Sequence, residues 1–180
     1  PGGTSEGETC GDDINGGCNM TTPAFTTVSD GETICGNLWA NGGTRDTDWF
    51  EIEITEISNI KLAVTSEERA VVGMIAQDEP GVAGCDNLYG YFAGHKLIEP
   101  CIEDSIEFGY LQPGTYYFMV APSKFFDHSC PGFDYQAAFT VQPSAHGTIS
   151  GVVDDGSTGI GGVKITADGY IAIKVYYFIY

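Results

Sequence analysis

The stretch Asp48-Trp49-Phe50-Glu51-Ile52-Glu53-Ile54-Thr55-Glu56-Ile57 decides the fold. Phe50, Ile52 and Ile54 fall on one side of an extended chain, and Trp49, Glu51, Glu53 and Thr55 fall on the other. This period of two marks a strand with one buried face and one wet face. Similar runs occupy Ala24–Val28, Thr33–Trp39, Lys61–Thr65, Val71–Gln77, Leu88–Ala93, Ser105–Tyr110, Thr115–Ala121 and Tyr135–Val141. Turn signals separate them, most clearly Ser29-Asp30-Gly31, Asn41-Gly42-Gly43, Glu79-Pro80-Gly81 and Gln112-Pro113-Gly114. Short strands at this spacing predict an all-β chain, an antiparallel β-sandwich. Glu67–Ala70 reads as one helical turn, nothing longer.

Composition agrees. The 180 residues include 25 glycines, and Val, Ile, Thr, Tyr and Phe dominate the apolar runs. The length suits one domain plus a fragment. Apolar residues at 42% and aromatics at 12% supply a core and argue against disorder. Twenty-five Asp and Glu against seven Lys and Arg give a net charge of −18. Such a chain repels phosphate backbones and anionic lipid, so nucleic-acid and basic-patch membrane roles are excluded. Tyr170–Tyr180 is the most apolar stretch and is too short for a helical span, so no membrane insertion is expected. Pro1 in place of Met reads as a processed or trimmed form.

Cys10, Cys18, Cys35, Cys85, Cys101 and Cys130 form an even set in an acidic, glycine-rich chain. Disulfides and an extracellular or cell-surface location are the expectation. Zinc is the rival, opposed by the absence of Cys-x-x-Cys and by scattered histidines. The short spacings favour Cys10–Cys18 and Cys85–Cys101 as local loops, leaving Cys35–Cys130 as the long bridge.

Residues 1–23 read as a disulfide-held lead-in, 24–142 as the sandwich, 143–147 as a linker and 148–180 as a partial second sandwich. Two resemblances accompany this division. Asp46, Asp48, Trp49 and Phe50, followed by Leu111, Gly114, Thr115 and Tyr116, resemble motifs of the bacterial pre-peptidase C-terminal domain family. Gly11-Asp12-Asp13-Ile14-Asn15-Gly16-Gly17-Cys18 is similar to the cysteine-containing version of that domain in large bacterial surface proteins. The resemblance covers about 6–142 and implies a β-sandwich of a secreted protein. Gly147–Gly169 resembles the opening of a carboxypeptidase-regulatory-like or collagen-adhesin B-type domain, which implies a stalk or spacer. Only about half such a domain remains.

Catalytic signatures are missing from the sequence. It has no His-Glu-x-x-His, no Gly-x-Ser-x-Gly and no phosphate loop, and His95, His128 and His146 stand apart. No catalytic residue and no organic cofactor are assigned, and the chain is read as a non-enzyme. Glu99 with Glu103 or Asp104 offers paired carboxylates of the kind glycosidases use, but equally of the kind solvated loops carry. Calcium is the candidate ion, because it takes oxygen ligands from Asp side chains and loop carbonyls. Asp46 and Asp48 are the preferred ligands; Asp12-Asp13-x-Asn15 and Asp154-Asp155 are alternatives. Asn19-Met20-Thr21 is a glycosylation sequon. Tyr89, Tyr91 and Phe92, or Phe125 and Phe126, are candidate stacking patches for carbohydrate, with core packing as the commoner role of such residues.

The tail Tyr170–Tyr180 carries one charge, Lys174. Ile171, Ile173, Val175, Tyr177 and Ile179 would line one face of an extended strand, and the other face is also mostly apolar. Such a strand needs cover on both sides. It can close its own sandwich, belong to a longer domain, or be donated to a neighbouring subunit. Donation that does not close on itself yields an open filament. The expected function is therefore a secreted bacterial filament or stalk subunit that self-assembles into a homopolymer through its tail. The alternative is a polymer-binding or accessory module of a secreted hydrolase.

Overall fold

All nine expected strands form, and two short ones join them. The computed structural model describes residues 2–144. In chain order the strands are β1 (Thr4–Ser5), β2 (Thr26–Val28), β3 (Thr33–Asn41), β4 (Thr44–Arg45), β5 (Asp48–Ile54), β6 (Ser58–Ser66), β7 (Ala70–Gln77), β8 (Leu88–Ile98), β9 (Asp104–Leu111), β10 (Gly114–Pro122) and β11 (His128–Pro143). The first sheet runs β1-β3-β11-β6-β9, with β4 pairing β3; the second runs β2-β5-β10-β7-β8. Glu67 and Glu68 form a bend rather than the expected helical turn, and the single 3₁₀ turn among the described residues is Cys85–Asn87.

The strands are antiparallel except at one edge of each sheet, where β1 runs parallel to β3 and β2 parallel to β5. The residues expected as an irregular lead-in thus begin with a strand. β1 is only two residues long, so alternation could not announce it.

The two sheets bury their facing sides against each other. Ile34, Leu38, Leu62, Val64 and Phe139 of one meet Phe50, Ile52, Val72, Phe118 and Val120 of the other. Phe139 lies 5.2 Å from Phe50 and 5.9 Å from Phe118 between ring centroids. Each buried ring of this kind contributes roughly 2–3 kcal/mol of apolar burial.

The second sheet is also covered on its outer side. Trp49, Val71, Ile75, Tyr117 and Met119 form a smaller cluster there, packed with Phe25, Leu88 and Phe92. The face of β5 that alternation marked as wet therefore begins with a Trp49 only 5% exposed. The lead-in provides the cover, with Phe25 at 4.9 Å from Tyr117.

Two disulfides pin this cover: Cys10–Cys130 and Cys18–Cys85, with Cα separations of 5.7 and 5.6 Å. The expected bridges Cys10–Cys18, Cys85–Cys101 and Cys35–Cys130 do not form. Short spacing favours local closure in a featureless chain, but the lead-in here crosses both sheets and meets distant partners. Cys35 and Cys101 remain free thiols. Cys35 pairs across to Gln136 and that to Thr65, whereas Cys101 donates its amide to Ser66. Their sulfurs have other partners: Cys101 Sγ donates to Glu67 O at 3.9 Å, and Cys35 Sγ accepts from Gln136 Nε2 at 3.6 Å.

Residues 145–180 lie outside the described residues. The rest of the linker, Asp154-Asp155, His146, the partial second sandwich and the interface residues Ile171, Ile173, Val175, Tyr177 and Ile179 all fall there.

Candidate cation site

The β3–β4 hairpin turns at Gly42 and Gly43, both at positive φ, and delivers Asp46 to a backbone bond with Trp39 O at 2.9 Å. Two residues on, Asp48 opens β5 opposite Val120. Asp46 and Asp48 are each 0% exposed, and none of their four carboxylate oxygens has a hydrogen-bond donor among the described residues. Burying an ionised carboxylate without a donor or a cation is strongly unfavourable. Something must neutralise them.

The lead-in supplies more acid rather than base. Glu8, Asp13 and Asp46 each place a carboxylate oxygen within 4.8 Å of the others. Glu8 Oε2 accepts from Ile14 N at 2.9 Å, while Glu8 Oε1 has no partner. Glu6 sits beside Asp48: its Oε1 accepts from Asn37 N at 2.7 Å and its Oε2 from the Tyr135 hydroxyl at 2.9 Å. Asn15, 3% exposed, donates its side-chain amide to Thr26 and leaves its Oδ1 unpartnered.

The protonation equilibria report the same crowding. Burial, then the charge of Glu8, pushes Asp46 up to about 9. Burial, then the charges of Glu6 and Asp46, pushes Asp48 well above the usual carboxylate range. Burial also raises Glu6, Glu8 and Asp13. A proton or a cation relieves each of these.

The donor set fits calcium. It consists only of oxygens, several of them carboxylates, on loops rich in glycine. Oxygens on opposite sides of a calcium ion at ~2.4 Å are about 4.8 Å apart. Glu8, Asp13 and Asp46 would hold the ion. Buried Asp48 and half-buried Glu6 form an adjoining acidic pair. The sequence singled out Asp46, Asp48, Asp13 and Asn15 but left them as separate clusters. It passed over Glu6 and Glu8, whose only signal was their spacing of two.

The other candidate residues have structural partners. Arg69 pairs with Glu99, and Lys96 Nζ lies 2.6 Å from Asp104. His95 packs on Phe92 and His128 on Phe133. Asn19 of the sequon is exposed and donates to Thr47. No helix among the described residues is long and apolar enough to cross a membrane.

No family model matches the chain, and no curated protein matches it. Among solved structures, the pre-peptidase C-terminal domain of a collagenase from Bacillus anthracis is similar at 17% identity and a TM-score of 0.43, over 68% of this chain and 100% of that one. A periplasmic inhibitor of g-type lysozyme from Aeromonas hydrophila is similar at 12% identity and a TM-score of 0.43, over 66% of this chain and 96% of that one.

Proposed function

We propose that this chain is a non-catalytic β-sandwich module of a secreted bacterial protein, and that a calcium ion fastens its lead-in to the sandwich. The observation that carries the reading is Asp46, fully buried, with both oxygens unpartnered and facing Glu8 and Asp13. The two disulfides support an extracellular or periplasmic setting. The ion would tie residues that precede β2 to the turn between β4 and β5. Ordering of the lead-in, not chemistry on a substrate, is then the ion's role. Unfolding by calorimetry, with calcium and with chelator, tests this. A higher melting temperature with calcium is expected, and identical melting curves would sink the reading.

The tail supports a second reading. Ile171, Ile173, Val175, Tyr177 and Ile179 on one face, with a mostly apolar opposite face, suit a strand donated to a neighbouring subunit. The module would then be a filament or stalk subunit. Deletion of 170–180 should convert assembled material to monomer; fibres that persist in electron micrographs would end this reading.

A further inference from the structure

A cavity of about 430 Å³ opens on the outer side of the sheet that holds β5 and β8. The Trp49, Phe92 and Met119 side chains contribute its apolar lining, and Arg45, Tyr91 and Phe125 also line it. Tyr91 is 61% exposed and Phe125 47%. These aromatics come from the two patches that sequence alone kept apart, 89–92 and 125–126. The structure brings them to one pocket, because Gly43 donates its amide to Phe125 O at 3.1 Å and so draws the 123–127 loop onto the β3–β4 hairpin.

Arg45 gives the pocket its chemistry. Its guanidinium carbon lies 4.4 Å from the centre of the Phe125 ring, and one terminal nitrogen donates to Pro122 O. Its remaining donors have no partner among the described residues. Arg69 and Lys96 each hold a carboxylate, whereas Arg45, like Lys61 and Lys124, pairs with none among the described residues; of these three only Arg45 lines the pocket. In a chain of 25 acidic side chains, this is not for lack of candidates. A guanidinium offers a planar fork of donors that matches a carboxylate bidentately. Asn19 and Thr44 also line the pocket and have polar groups that suit hydroxyl groups.

We propose that this pocket binds a uronic acid residue of a saccharide, its carboxylate on Arg45 and its ring against Tyr91 and Phe125. The negative face of an aromatic ring meets the weakly positive C–H bonds of a pyranose face. The cavity volume suits a small ligand or one or two units of a longer chain. The net charge of −18 acts at long range and is screened beyond ~8 Å at physiological salt, whereas the contact at Arg45 is made inside that distance.

Titration calorimetry with the disaccharide glucuronosyl-glucose tests the proposal, at constant calcium. Its methyl ester, neutral glucosyl-glucose and N-acetyl-dialanine, a peptide carboxylate, are the comparisons. The acid sugar should bind at least about tenfold more tightly than the ester or the neutral sugar, a ratio of the size one charged hydrogen-bonded pair gives. Arg45→Gln should abolish that preference, and Arg45→Lys should recover only part of it. Tyr91→Ala, at an exposed ring, should weaken the acid and neutral sugars alike without changing the melting temperature. Equal binding of acid and ester, full binding by Arg45→Gln, binding of the peptide without the sugar, or no uronide binding at all would each overturn it.

Discussion

Gly17 lies against the indole of Trp49 so closely that a Cβ on it would sit 2.2 Å from Cδ2. Its φ of 59° is the left-handed region as well. This contact seats the lead-in on the outer cluster, so it is a tight point in the cover of the second sheet. Gly17→Ala must both strain the backbone, at about 1–2 kcal/mol, and displace the ring. A total loss of about 2–4 kcal/mol is expected. Thermal unfolding and the tryptophan fluorescence of the folded state measure it; an unchanged melting temperature would show that the lead-in can detach freely.

Calcium should stabilise the protein by about 2.7 kcal/mol when free calcium is a hundredfold above its dissociation constant. Asp46→Asn should lose most of that gain, because it removes the most buried member of the Glu8–Asp13–Asp46 set. Terbium luminescence sensitised by the tryptophans gives an independent reading of the same site. A variant that still binds terbium as tightly as the parent would place the ion elsewhere.

In chelator, pH should act in a definite direction through Asp46. Its folded value is about 9, and its unfolded value is about 3.9. The folded state therefore keeps a proton that the unfolded state releases. The stability linked to this group is fully present below about pH 4 and is lost as pH rises toward 9. The melting temperature of the chelated protein should carry a downward contribution from Asp46 across that window, and Asp46→Asn should remove it. Calcium bound there would replace the proton, so its apparent affinity should rise over the same range. An Asp46→Asn variant with the parent's pH profile in chelator would contradict this assignment.

Two thiols per chain should react under denaturing conditions without reductant. Cys101, which is exposed, should react first in the folded protein, and half-buried Cys35 more slowly. Cys101→Ser should shift stability by less than about 0.5 kcal/mol. Cys18→Ser should cost about 2–4 kcal/mol through loss of the bridge to Cys85. A count of zero thiols would mean a third bridge and a different pairing.

Phe118 packs between Phe108 at 5.8 Å and Phe139 at 5.9 Å. Phe118→Ala should cost about 3–5 kcal/mol, and Phe118→Leu much less. Chemical denaturation checks both. A small loss for alanine would mean that the facing sheets can collapse into the space.

The strand content was legible because alternation survives wherever a strand has one buried face. Phe50, Ile52 and Ile54 on β5 showed it, as did Ile60, Leu62 and Val64 on β6. Trp49 was misassigned to the wet side, because sequence periodicity does not reveal a second layer laid on the outer face by a distant segment. The disulfides failed for a related reason: their partners are set by where the lead-in crosses the sheets, not by chain distance. The candidate cation site was half legible. Asp46 and Asp48 drew attention through their motif, but Glu8 and Asp13 join Asp46 only after the lead-in folds back over the sandwich. Arg45 gave no signal at all, since the absence of a carboxylate partner is a property of space.

The Cys10–Cys130 bond spans a sequence separation of 120 and links the lead-in to the start of the last described strand. Under tension applied at Gly2 and Ser144, the load would run through that bond and bypass nearly all the chain between. Without it, and with Cys18–Cys85 still closed, the chain between could pay out about 18 nm of slack, at ~3.4 Å per residue. With it, only the first residues and β11 can lengthen. The module then behaves mechanically as a short, nearly inextensible link, and reduction of a single covalent bond would turn it into a long, compliant one.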